Sequence, residues 1–380
     1  MRFIAFLLAF VGIYFMAYNL NAGYPYFSYA LSGVMFMFLV AVPILTMKSF
    51  SEERKSKTDQ LLLTSPVRLV DVVLGKYLAM VTVFLIPNLI FCIYPLVIKM
   101  QGTAYLRVDY AAILLFFVLG CVYIAIGMFL SALTESQIIA AVSTFAVLLI
   151  LHLWGGLLDF IPSTAISGVI GIIAIITIVA LIIYQLTKNW VISAVIEAIG
   201  VIACVVTYVV KSSLFENLLV NLLGKLDISS SFSNVYMNKL LDVSDLILCF
   251  SLIAFVCISD NSDYTKKTLE LGAVSVKKIK EMFQSPQSRY GTYSMVITAV
   301  VIAIVIVINM IAGQLPDSMK SIDLSGNSLY EITKTSKKLL KNLDKEVQIH
   351  VLAEKSSTDE RIQTFIEKYA ALIKQGEGRL

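Results

Sequence analysis

Long apolar runs separated by short polar stretches repeat along most of this chain. Their lengths predict helices that cross a bilayer, which takes roughly 20 residues each. The runs cover about residues 3–18, 29–47, 77–98, 109–133, 137–158, 166–186, 190–210, 246–258 and 295–311. The run at 246–258 is short for a crossing and calls for little tilt or a thinned bilayer. Arg2 ahead of the first run does not make it a signal peptide, because no small-x-small cleavage site follows. An aromatic stretch, YNLNAGYPYF, comes instead and suits the membrane interface. Thr134, Glu135 and Ser136 form a tight break that predicts a hairpin of the fourth and fifth runs. Pro87 and Pro95 predict kinks in the third unless neighbouring helices satisfy the freed carbonyls, and Gly155, Gly156 and Pro162 end the fifth.

Four stretches depart from this pattern. Residues 48–76, KSFSEERKSKTDQLLLTSPVRLVDVVLGK, mix both charge signs and then run into Leu61, Leu62 and Leu63, stopped by Ser65 and Pro66. The spacing predicts a short amphipathic helix with Glu53, Lys57 and Gln60 on one side, ended at Ser65 by the proline. Residues 211–245 are too polar to cross, yet LFENLLVNLLGKL has apolar residues at helical spacing and predicts a helix lying on the membrane surface. Residues 260–293 are basic. The tail from about Gly313 reads as a helix over 329–343, a strand over Glu346–Ala353 and a second helix over 359–374. That is the start of an α/β segment in which the chain stops before the strand has a mate.

Composition agrees with the pattern: 58% of residues are hydrophobic, 15% are charged and the mean hydropathy is +0.84. A soluble domain carries about 25% charge, so the chain reads as an all-α polytopic membrane protein of about 8–9 transmembrane helices with a small extracytoplasmic α/β C-terminal segment. The net charge of +4 is too small to argue for nucleic acid. With the amino terminus inside, residues 48–76, Lys188 and 260–293 fall on the cytoplasmic face and the tail falls outside, the arrangement the positive-inside rule favours.

Candidate chemistry is sparse. The five cysteines sit in apolar runs without CxxC spacing, so they predict neither a metal site nor disulfides. No GxxxxGK[ST], HExxH or GxSxG occurs, and His152 and His350 lie in different segments. The sequence therefore predicts no catalytic site, no metal and no cofactor in this chain. Glu197 is the one acid near the middle third of a run, a candidate intramembrane polar site for substrate or proton beside the plainer reading of a hydrogen-bonded structural acid.

The block LTMKSFSEERKSKTDQLLLTSPVRLVDVVLGKYLA resembles the ABC-2 type transporter permeases, in particular the gliding-motility-type group, where an acid pair, a Thr, a Leu-Leu run, Ser-Pro and Gly-Lys follow the second span in this order. The resemblance implies that Ser51–Leu63 is a cytoplasmic coupling element for a separate ATP-binding subunit, which would carry ATP and Mg. Glu52, Glu53, Arg54 and Thr58 would be its polar contacts and Leu61, Leu62 and Leu63 its apolar anchor. It implies a second permease copy as well. From Arg289 onward, INMIAGQLP and LSGNSLYEITKTSKKLLKNLDKEVQIHVL are similar to the start of the auxiliary protein of the same systems. The implied organisation is a permease domain over 1–260, a cytoplasmic basic linker over 261–293, a further transmembrane helix over 294–313 and the beginning of an auxiliary domain over 314–380. A minimal permease of this kind has six spans, so eight runs before the fusion point are a departure. The alternative expectation is a non-transporting scaffold or mechanotransmitter that links a cytoplasmic ATPase to the outer segment. An intramembrane enzyme would need clustered polar residues that Glu197 alone does not supply.

Overall fold

The computed structural model describes residues 2–58, 69–187, 190–224, 227–271 and 321–324, with Val305, Val307, Asn309 and Ile362. These divide into two compact units, Met1–Leu148 with Ser231–Leu380, and Leu149–Ser230.

In the first unit, α1 (Arg2–Phe15) closes in a π turn (Met16–Asn21). The second span is α2 (Phe27–Val34), a 3-10 turn at Met35–Met37 and α3 (Phe38–Thr46), followed by the short α4 (Ser51–Ser56). Next come α5 (Leu69–Phe91), α6 (Tyr94–Gln101), α7 (Leu106–Leu133) and α8 (Gln137–His152), whose last turn enters the second unit. The axis is α7, 28 residues long and apolar on every side, as a helix buried among others must be. Val108, Ala112, Phe116, Leu119, Val122, Ile124, Ala125, Met128 and Ala132 along it are fully buried. Gly120 and Gly127, seven residues apart and so on one side of the helix, leave room for the Phe84 ring of α5 and for Thr46 of α3. Phe38 sits at the centre, with ring centroids 4.5 Å from Phe116, 5.7 Å from Phe84 and 5.7 Å from Tyr123.

Several expectations need correction. The chain does turn at Thr134–Ser136, but α7 packs closely on α14 (Val243–Leu271), α3 and α5 rather than along α8, because those helices already occupy its sides. The third span passes through Pro87 in helix and breaks later, at Cys92–Ile93; Pro95 has no N–H for the carbonyl one turn back and instead opens α6. The run at 246–258 is a short apolar stretch as expected, Val243–Cys257, and it forms the first part of α14, whose helix continues through polar residues to Leu271 with no proline or glycine before Gly272.

In the second unit, α9 (Trp154–Leu158), α10 (Ala165–Thr187) and α11 (Trp190–Val210) precede a 3-10 turn at Ser212–Phe215, α12 (Leu218–Gly224) and the first half of α13 (Ile228–Ser233), whose second half belongs to the first unit. The surface helix expected over residues 214–226 is broken at Asn217, which takes φ 58° and donates its N–H to Ser163 O at 3.1 Å. Its two halves fold back onto α10, with Phe215 against Gly168 and Leu219 against Gly171. The pair α10 and α11 is tied by Ser193 Oγ donating to Ala180 O at 2.6 Å.

At the end of the first unit where α7 begins, polar groups organise the loops. Asp109 is fully buried, and its Oδ1 accepts the Ser28 N–H at 3.1 Å, capping α2 from a distant helix. Asn19 Nδ2 donates to Tyr24 O at 2.8 Å and Tyr26 O at 2.9 Å, pinning the loop before α2. Lys239 Nζ donates to Tyr26 Oη at 2.6 Å and lies 4.7 Å from the Tyr26 ring, which stacks on Tyr105. Directly after Lys239, β1 (Leu240–Asp242) pairs antiparallel with β2 (Ser321–Asp323), Leu241 opposite Ile322, and Leu324 N–H donates to Lys239 O at 2.9 Å. The expected tail elements over 329–343, 346–353 and 359–374 lie outside the described residues. Of the run at 295–311, Asn309 is described, and its Nδ2 donates to Ser251 Oγ of α14 at 2.9 Å.

Among the described residues, five helices are long and apolar enough to cross a membrane: Phe3–Asn21, Phe27–Ser56, Val70–Gln101, Leu106–Leu133 and Ser193–Val210. Shorter apolar helices cover Gln137–His152, Ala165–Ile178 and Val243–Cys257.

Candidate partner-docking corner

The charged block begins where α3 ends. Thr46 is buried against Gly127, and the chain turns through Met47–Phe50 into α4. That turn is held from outside by Ser131, near the end of α7 and fully buried. Its Oγ accepts the N–H groups of Phe50 and Ser51, both at 3.2 Å, and donates to Met47 O at 3.2 Å. A hydroxyl has one proton to give and two lone pairs to receive, so Ser131 is fully used. Ser51 Oγ also donates to Met47 O.

A second tie comes from α5. Lys76 forms an ion pair with Glu53, donates to Ser49 O at 2.7 Å and places its ammonium 4.2 Å from the centre of the buried Phe50 ring. One lysine thus joins backbone, ring and carboxylate of the corner. Charge order inside α4 is favourable as well: Glu52 and Glu53 lie in the first turn, Arg54 and Lys55 in the last.

The expected helix is interrupted after Ser56, while Gln60 and the stop at Ser65 lie outside the described residues. Lys57 adopts φ 57°, and its N–H donates to Arg54 O at 3.1 Å while Thr58 N–H reaches back to Glu53 O at 3.0 Å. This pair of bonds is a Schellman closure, which satisfies the last carbonyls and turns the chain away nine residues before Pro66. Among the expected contact residues, Glu52 and Thr58 are exposed and Glu53 is half-buried against Lys76. Arg54 is only 7% exposed, so its guanidinium turns into the bundle instead of outward. Leu61, Leu62 and Leu63 lie outside the described residues. Glu197 belongs to the second unit, where its Oε1 accepts from Thr177 Oγ1 at 3.1 Å across the α10–α11 pair. The sequence reading missed Ser131; its signal was a hydroxyl placed one turn before the polar end of an otherwise apolar run.

A bundle of apolar helices thus holds a short charged helix at one end by side chains from two others. Residues 3–168 match the family described as ABC-2 family transporter protein, a stretch that includes the whole corner. The match covers less than half of the chain, and the apolar helices suit a multi-pass membrane protein. Comparison with curated proteins and with solved structures returns no match for this chain.

Proposed function

We propose that this chain is the permease subunit of an ABC-2 type exporter, and that α4 receives the movement of a separate ATP-binding subunit that hydrolyses ATP with Mg. The observation that carries this reading is the corner itself. A six-residue polar helix stands at the end of the bundle with Glu52, Lys55, Ser56, Lys57 and Thr58 exposed. Interior ties hold the remainder of the turn. A helix this short is not stable alone, so its fixed placement reflects the tertiary ties. Two permease copies and two ATPase copies complete the assembly. The near absence of charge in the spans suits hydrophobic or lipid-like cargo, with Glu197 as the candidate polar point on its path.

The corner is the cytoplasmic end in this reading, with the amino terminus inside and the tail outside. The structure supports the relative sidedness: residues 47–58, Lys76 and Ser131 meet at one end of the first unit, and Tyr26, Tyr105, Lys239 and 321–324 at the other. The fused auxiliary segment and the linker over 261–293 belong to the same proposal. A second reading, a mechanotransmitter between ATPase and outer segment, is favoured by the β1–β2 pairing, which fastens the tail to the bundle directly.

The test is purification of the chain from its native membrane with assay of co-purifying ATPase. Glu53→Lys would set two lysine-type charges together inside this chain, so the contact itself is better probed at the exposed Glu52. Glu52→Lys is expected to cut ATPase recovery about tenfold, the effect of losing roughly 1.4 kcal/mol of contact free energy. Recovery of the wild-type chain without any ATP-binding protein would remove the energy source and sink the permease reading.

A further inference from the structure

We propose that Ser131 and Lys76 are positioning residues that lock α4 to the ends of α7 and α5, so that the corner moves as one body with these two helices and not as a lever hinged only on α3. The inference rests on the permease reading for its purpose, but its geometry stands in this chain alone.

Four residues, Met47–Phe50, join α3 to α4, and a turn of this length is free to hinge unless something restrains it. Both flanks are restrained here. On one, Ser131 holds the turn at three backbone groups: Met47 O, Phe50 N–H and Ser51 N–H. The site is closed to solvent, since Ser51, Phe50 and Ser131 are each at most 1% exposed, so water cannot take over these bonds if the turn swings away. On the other flank, Lys76 grips Ser49 O and the Glu53 carboxylate simultaneously. A rotation of α4 about the turn must therefore break bonds to both helices, whereas a joint displacement of α4, α5 and α7 breaks none. The second motion is the cheaper one. The ties reach two different helices, so a push on α4 divides between α5 and α7, which also meet directly through Phe84 and Gly120.

The experiment places spin labels at Lys55→Cys and Glu135→Cys, two exposed positions on α4 and just past α7. Cys92, the one thiol not buried, is replaced by serine. The distance distribution is measured in nanodiscs by double electron–electron resonance. A narrow distribution is expected with Ser131 present, widening about twofold in Ser131→Ala as α4 gains a hinge. Ser131→Thr, which keeps the hydroxyl, restores the narrow form. An equally narrow distribution in Ser131→Ala overturns the lock. Should Ser131→Ala fail to fold, Lys76→Met keeps the stem beside Phe50 and removes the polar grip, and the same widening or its absence decides.

Where the ATPase co-purifies, Ser131→Ala is expected to retain binding of the ATPase but lose about tenfold of the stimulated rate, a coupling effect with no change in association. Unchanged stimulation overturns the lock as a transmission device. Absence of any ATPase partner refutes the permease reading instead, and leaves the label distances to judge the lock by themselves.

Discussion

Asp109 offers the sharpest test of how this bundle is held at the end where α7 begins. Its Oδ1 accepts the Ser28 N–H at 3.1 Å, while its Oδ2 and the Ser28 Oγ are buried without a hydrogen-bond partner. Asp109→Ala removes the acceptor and leaves an orphan N–H at a helix start that no solvent reaches; such a loss costs about 1–3 kcal/mol. Asp109→Asn keeps the amide oxygen as acceptor for Ser28 and replaces the buried acid with a neutral group of nearly the same shape. It is therefore expected to match the parent within about 0.5 kcal/mol or exceed it. The assay is reversible chemical unfolding in mild detergent, followed by fluorescence of a dye that reports newly exposed thiols such as the buried Cys121. The predicted order is Asn at or above the parent and Ala below it. If Asn proves as damaging as Ala, the capping argument fails, because then the acid itself, and not its acceptor oxygen, is what the site requires.

Two further predictions follow from other parts of the chain. Leu241 and Ile322 face each other across β1 and β2, and opposed antiparallel residues have Cα atoms about 4.5–5.5 Å apart, inside the disulfide range. Leu241→Cys with Ile322→Cys should cross-link under mild oxidation, read as a linked peptide after proteolysis; failure to link while Leu241→Cys alone remains reactive would refute the pairing. In the second unit, burial pushes the Asp227 carboxyl up, partly offset by the N–H groups of Ser229 and Ser230 that donate to its Oδ1. The folded chain then holds this proton at a higher pH than the unfolded chain does. The stability it contributes is present below the ordinary carboxylate value of about 3.9 and is lost as pH rises through the raised one. Asp227→Asn should flatten that decline in a thermal-shift series across acidic pH, and an unchanged slope would place its origin elsewhere.

The apolar runs were legible because length and hydropathy alone decide whether a helix can cross. Thus α1, α7 and α11 lie close to where the pattern put them. What the pattern could not carry was any feature set by a distant neighbour. Helix α4 ends at Ser56 because Lys57 takes a left-handed conformation, a choice invisible in a block where charge spacing suggests helix continuing to the stop at Ser65. Arg54 reads as a surface cation until α7 and α5 are in place, and then it is buried. Ser131 carries no local signal strong enough to separate it from other hydroxyls in apolar runs, such as Ser143 or Thr177, which bond their own helix carbonyls. The helical extension of α14 past Ile258 is legible in principle, since the next glycine is Gly272, and the polarity that begins there marks the end of the apolar stretch rather than of the helix.

The position of the polar ties along α7 has a physical logic of its own. Asp109 and Ser131 are 22 residues apart, which at 1.5 Å per residue is roughly 33 Å, about the thickness of a hydrocarbon core. Between them, residues 110–130 hold no charged side chain, and close packing rests largely on shape, with Gly120 admitting Phe84 and Gly127 admitting Thr46, alongside one buried bond from Tyr77 Oη to Cys121 O at 3.2 Å. The division follows from the solvent. In the hydrocarbon, an unsatisfied polar group costs several kcal/mol, so a mid-span hydrogen bond is hazardous whenever helices shift, while interlocked apolar surfaces can slide and reseat at small cost. At the two boundaries the requirement reverses. Loops there must be placed accurately, and a buried acceptor or hydroxyl fixes a backbone group to within a few tenths of an ångström, which apolar contact does not. One helix therefore carries directional ties to backbone loops at both ends, and between them mostly steric ones beside the Tyr77 Oη bond to Cys121 O, so the loops are fixed most accurately where α2 begins and where α4 meets α7.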